Sequence, residues 1–200
     1  MFSSAIERLN DRRNGAGEAG EDAGFTLIEL MVVLLIMAIL LAIAIPTFLG
    51  VSGSANDRAA QSNLNTALTN AKSYYQSNGQ TFTGTNVTSL ASALGSQEPS
   101  ISWVTGPSTG SGVVSVGVAT DGNGIVLASL SKTNTCWYLV DNEAVEASTT
   151  GEGVPSAQLA AGTWYGATAI GGSSSTACTA ASASSAANWN TAGTAGFPAK

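Results

Sequence analysis

Glu29 is the side chain that most needs a chemical explanation. It is the one charged residue between Phe25 and Ile45, and every residue from Leu30 to Ile45 is apolar. A carboxylate in hydrocarbon is costly unless it is neutralised or paired, yet no basic side chain lies between Phe25 and Asp57. The second reactive pair is Cys136 and Cys178, the only cysteines in the chain. Both follow the apolar run, and two cysteines in an exported region suggest one disulfide, with two buried free thiols as the alternative. The bond would close a loop of about 40 residues and stabilise by roughly 3–4 kcal/mol.

Other candidate groups have plainer readings. Asp121-Gly122-Asn123-Gly124 looks like the start of a calcium loop but lacks the later acidic ligands, so it reads as a hairpin turn. Asp141, Glu143 and Glu146 read as a solvated acidic loop rather than a cation site. Trp137-Tyr138 and Trp164-Tyr165 read as core or cross-strand aromatics. Asn86-Val87-Thr88 is a lone glycosylation sequon. No metal site and no cofactor are expected. The chain has no histidine, which removes histidine-based triads, zinc ligation by imidazole and histidine acid–base chemistry. No catalytic residues are assigned. The net charge is −6, with seven scattered basic residues and only Arg12-Arg13 adjacent. Nucleic-acid binding, which draws on clustered cations, is disfavoured for this chain alone.

The elements that must position these groups follow from periodicity. Residues 1–24 are polar and carry glycines at 15, 17, 20 and 24, which suits a removable leader. Phe25–Ile45 would span about 30 Å as a helix, the thickness of a bilayer core. The basic residues lie mostly upstream of it, which places the N-terminus in the cytoplasm and the bulk of the chain outside. Pro46 should kink or locally break this helix, and Gly50 and Gly53 weaken it further. Beyond them Ala60, Leu64, Ala67, Leu68, Ala71, Tyr74 and Tyr75 recur at helical spacing, which predicts an amphipathic half-helix ending at Asn78-Gly79. Then the period becomes two: Val114, Val116 and Val118, with strands also predicted at 125–131 and 135–140. Ser173–Ser185 is low in complexity and reads as a loop or edge segment. The fold class expected is α+β, a long bent N-terminal helix over 25–77 packed on a small antiparallel sheet within a domain spanning 78–200.

The run Gly24-Phe25-Thr26-Leu27-Ile28-Glu29-Leu30-Met31-Val32-Val33, with its apolar continuation and Pro46, resembles the signature of type IV pilins and of the secretion and competence pseudopilins. The resemblance covers residues 24–53 closely and the rest only in architecture. It implies cleavage between Gly24 and Phe25 by a prepilin peptidase, N-methylation of Phe25, and an assembly role for Glu29. It also implies a bend at Pro46, with melting towards Gly50 or Gly53 in related filaments. Cleavage would create an α-amine on Phe25, one helical turn from Glu29, able to pair with it in the same chain or in a neighbour. The partners implied are other copies of the chain in a helical homopolymer, the peptidase, an assembly platform protein and a cytoplasmic assembly ATPase. The chain is then a single-pass membrane protein before assembly and part of an extracellular filament after it. A departure is the acidic Glu21-Asp22-Ala23 before Gly24, where family leaders usually end in basic residues. A major pilin is the reading favoured, with a minor pilin or secretion pseudopilin as alternatives. A single-pass membrane-anchored extracellular binding protein is the rival of another class.

Overall fold

The computed structural model describes residues 24–82, 86–145, 155, 158–170, 177–186, 188–190 and 196–198. The leader before Gly24 and Glu146 lie outside the described residues. The chain divides into two units, 1–48 and 49–200. Helix α1, Leu27–Ser77, carries the chain from the first unit into the second.

In the first unit, every described residue is exposed. The apolar stretch after Glu29 has no polar face, so nothing in its sequence selects one side to bury. The helix continues through Pro46, Gly50 and Gly53 with no break. Thr47 Oγ1 donates to the carbonyls of Ile43 at 3.0 Å and Ala44 at 2.9 Å. These bonds supply donors beside the proline, which itself has none to give.

In the second unit, α1 becomes amphipathic, burying Asp57, Ala60, Leu64, Ala67, Ala71 and Tyr75. The stripe matches the expected spacing and reaches one turn further back, to Asp57. The stop also falls where expected: Gly79 takes φ 71°, and the Gln80 N–H bonds the Tyr75 carbonyl at 3.0 Å, the long-range bond of a Schellman cap. A second helix, α2 (Val87–Gln97), starts at Asn86, whose side chain accepts from the Ser89 N–H. That cap satisfies one of the helix's orphan donors, and α2 buries Leu90, Ala91 and Leu94.

Six strands form one sheet in sequence order: β1 (Ser102–Val104), β2 (Val113–Val118), β3 (Gly124–Leu130), β4 (Thr135–Asn142), β5 (Gly162–Ala169) and β6 (Asn188–Trp189). β1 and β2 are parallel and every other pair is antiparallel. The three expected strands are β2, β3 and β4, and the Asp121–Gly124 turn joins the first two, with Gly122 at φ 79°. One sheet face presents Val114, Val116, Ile125, Leu127, Trp137 and Leu139 to α1 and α2. The other presents Val126, Ala128, Cys136, Tyr138 and Val140 to the segment around Cys178, Ala180 and Ala183. Part of the serine-rich tract therefore covers a sheet face: Ala181–Ser185 is a short 3-10 helix with Ala183 fully buried. β4, covered on both sides, is buried along its whole length.

Candidate functional site

The N-terminal motif is built around Glu29. Its Oε2 accepts from the Thr26 N–H at 2.8 Å and from Thr26 Oγ1 at 2.7 Å. The Glu29 N–H in turn meets Thr26 Oγ1 at 3.3 Å. Thr26 stands immediately before α1, and its carbonyl accepts the Leu30 N–H at 3.3 Å. This is a capping box, a threonine and a glutamate three residues apart closing the first turn on each other. The spacing Thr26-x-x-Glu29 was its sequence signal. Glu29 thus has a local task, holding the helix start, besides any task between chains. In the uncleaved chain the nitrogen of Phe25 is a peptide nitrogen; only cleavage after Gly24 would turn it into an amine.

Phe25 is 83% exposed, and from Leu27 through Ile45 the large apolar side chains lie bare. Among the described residues α1 is the one helix with a stretch long and apolar enough to cross a membrane. Gly24, Phe25 and Glu29 are thus gathered at the head of this stretch, while Pro46, Gly50 and Gly53 follow it within the same helix.

The cysteines belong to the second unit. Cys136 on β4 is bonded to Cys178, with Cα atoms 5.5 Å apart and a sequence separation of 42. The bond ties the 3-10 segment to the sheet. Ser108 strengthens this neighbourhood: its N–H donates to the Cys178 carbonyl at 2.7 Å, and its hydroxyl accepts the Leu130 N–H at 2.9 Å.

Asp141 corrects the expected solvated acidic loop. β4 runs on through Asn142, so Asp141 faces α1 and is 1% exposed. Lys72 on α1 reaches Asp141 Oδ1 at 3.0 Å and Glu143 Oε1 at 3.5 Å. Thr163 Oγ1 also donates to Asp141 Oδ1, at 2.5 Å. Partial burial alone would lower the Lys72 ammonium, but the hydrogen bond and charge of Asp141, with Glu143, outweigh it and hold it above its usual value. At the opposite end of the buried half of α1, Asp57 Oδ1 accepts from Thr133 Oγ1 at 2.5 Å and from Trp137 Nε1 at 3.4 Å. Both carboxylates act in packing. No group of three or more acidic, histidine or cysteine side chains is placed to hold a metal ion among the described residues. The aromatics are core: Trp137 and Tyr138 are 2% and 1% exposed.

Neither the curated proteins nor the solved structures contain a match to this chain. A family model does match, over residues 21–45, and its description is the prokaryotic N-terminal methylation motif. The matched stretch holds Gly24, Phe25, the Thr26–Glu29 box and the whole bare apolar run. This chain therefore carries, at residues 21–45, the N-terminal signature of the type IV pilins and pseudopilins.

Proposed function

We propose that this chain is a structural subunit with no catalytic role. It loses residues 1–24 to a prepilin peptidase, is methylated on Phe25, waits in the membrane through residues 25–45, and polymerises through that helix into a surface filament. The observation that carries this reading is a bare helix, apolar on every face and headed by a single carboxylate inside the methylation motif. A helix of that kind requires a cover supplied from outside its own chain. Lipid serves before assembly, and the same helix of other copies serves after it. Glu29 then pairs with the Phe25 amine of a neighbour, which fixes the register of an arriving subunit. An assembly platform protein and a cytoplasmic ATPase would drive the insertion.

Among filament subunits, a major pilin is the reading we favour. The late disulfide Cys136–Cys178 supports a pilin over a secretion pseudopilin, and the complete motif with Glu29 supports a shaft position over a capping one. The test is mass spectrometry of filaments sheared from the cell surface. Abundant mature chain beginning at methylated Phe25 is the expected result. A chain that keeps residues 1–24 and stays in the membrane would instead identify an anchored binding protein.

A further inference from the structure

Among its described residues, the exported unit sorts its exposed charges towards opposite ends of the buried half of α1, Asp57 to Tyr75. At one end stand Arg58 and Lys132, both exposed. Arg58 lies on the first exported turns of α1. Lys132 sits in the turn between β3 and β4, whose Thr133 bonds Asp57 on the same helix turn. Neither cation has an ion-pair partner among the described residues. Among the described residues the acid beside them is Asp57, which is buried and bonded to Thr133 and Trp137.

At the other end the sign reverses. Asp121 and Glu143 are exposed, and their two loops are joined, because the Glu143 N–H donates to the Asn123 carbonyl at 2.9 Å. The same turn is fixed to the end of α1 by the Phe82 N–H on the Gly122 carbonyl at 2.8 Å and by Tyr75 Oη at 3.5 Å from Asn123 Oδ1. Among the described residues Lys72 is the cation here, and it is held by buried Asp141 with Glu143 at its side, so the described side chains at this end carry more negative than positive charge. Glu98, the remaining described acid of the unit, lines a hollow with Thr66, Thr69 and Ser73, midway along. From Asp57 to Tyr75 the helix rises about 27 Å, so the positive and negative ends of one chain cannot meet.

We propose that copies of this chain meet head to tail through these ends, with Arg58 and Lys132 of one copy set against Asp121 and Glu143 of the next along the filament. The proposal rests on the polymer reading above. It is a contact between exported units, separate from the pairing of Glu29 with an amine among the apolar helices. Opposite potentials on facing surfaces fix register and reject wrong partners, which is what complementary charge does best at an interface.

The experiment is carbodiimide coupling of isolated filaments and, in parallel, of detergent-dispersed subunits, followed by peptide mapping. The reagent joins an amine to a carboxylate only where they touch. The Lys72–Asp141 link should form in both samples, since it lies within one chain. A Lys132 link to Asp121 or Glu143 should form in filaments alone, and the separation of the ends makes it a link between chains. Recovery of the Lys72 link without any Lys132 link to those two acids in filaments overturns the proposal. As a second reading, the double variant Arg58→Glu, Lys132→Glu should keep its membrane pool and its Cys136–Cys178 bond while filament yield falls about tenfold or more through like-charge contact. Undiminished yield overturns the proposal too. If the unaltered chain makes no filaments at all, the polymer reading fails and this inference falls with it.

Discussion

The two units solve opposite problems with the same helix. Up to Phe48, no described residue is buried. Beyond it, α1 buries a narrow stripe of small residues, Ala60, Ala67 and Ala71, with Leu64 among them and Tyr75 after them. The first stretch is apolar all round and has no inside. The second is apolar on one side and finds its inside in the sheet. Pattern, rather than hydrophobicity as such, decides whether a helix completes its packing within its own chain. On the function proposed, the first unit's needs are met by other molecules, so substitutions there should be read in assembly. The second unit's needs are met at home, so substitutions there should be read in stability.

The strongest way to break this division is at Glu29. Glu29→Ala removes both the charge and the cap on Thr26. Glu29→Gln removes the charge alone, because glutamine also serves at this position of a capping box. If register depends on charge pairing at low dielectric, both variants lose nearly all filaments while the membrane pool and the disulfide stay normal. Shearing cells and measuring membrane and surface pools separately checks this. Abundant filaments from Glu29→Gln, with none from Glu29→Ala, would assign Glu29 to capping instead.

Next comes the disulfide. Cys136 and Cys178 are both buried, at 0% and 2% exposure, and the bond secures the cover of one sheet face. Replacing both with serine should destabilise the second unit by roughly 3–4 kcal/mol, seen as an earlier denaturation midpoint. Insertion through residues 25–45 should not change. A loss of the membrane pool before any unfolding of the second unit would blur the division between the units.

A smaller effect is expected at the sheet edge. Gly166 pairs with Trp189 across β5 and β6, and a Cβ at Gly166 would lie 2.8 Å from Trp189 Cε3. The indole also lies 6.2 Å from the Tyr138 ring between centroids, so it cannot simply be pushed inward. Gly166→Ala should cost about 1–3 kcal/mol by overpacking. The same change at Gly50, where a Cβ meets nothing, should leave the fold untouched. Thermal melts of both variants make the comparison.

Much of this was legible in the sequence, and the limits have physical causes. The α1 stripe and strands β2 to β4 are readable because their periods, near 3.6 and 2, run over several residues. β5 is Gly-Thr-Trp-Tyr-Gly-Ala-Thr-Ala, half-buried and rich in small residues, so its alternation is weak. β1 has three residues, too few to show a period, and takes its place through parallel pairing with β2 and the packing of Trp103 on the core. Asn86 reads as the head of a sequon, and its capping role appears only once α2 is in place. Ala181–Ser185 shows no periodicity; what buries it is the tether at Cys178 and the Ala180 N–H bonded to Ser115 Oγ at 3.0 Å. The Thr26–Glu29 box could have been read directly. Asp141 could not, since its partner Lys72 lies far back in the chain and only the fold brings them together.

The smallest effect expected is at that pair. Lys72→Met keeps an unbranched side chain but leaves Asp141 buried with Thr163 as its remaining partner. Removing one member of a buried pair can cost several kcal/mol. Here Lys72 is 43% exposed at its side chain and solvent screens it, so about 1–2 kcal/mol is expected near neutral pH. The pH dependence adds a sign. The Lys72 ammonium is raised above its usual value in the folded chain, so its contribution is full below the unfolded value of about 10.4 and is lost as pH climbs through the folded one. Tyr138 acts in the same alkaline window: burial raises it, and the hydrogen bond with Ser182 only partly offsets that. A tyrosine held neutral also gives stability that is present below its unfolded value of about 10 and lost above it. The unaltered second unit should therefore weaken from about pH 10 upward. Lys72→Met should start lower and decline less steeply, keeping the share due to Tyr138, and Tyr138→Phe should remove that remaining slope. Denaturant midpoints from pH 8 to 11 measure it, and a slope unchanged in Lys72→Met would show that the ion pair contributes nothing to folding.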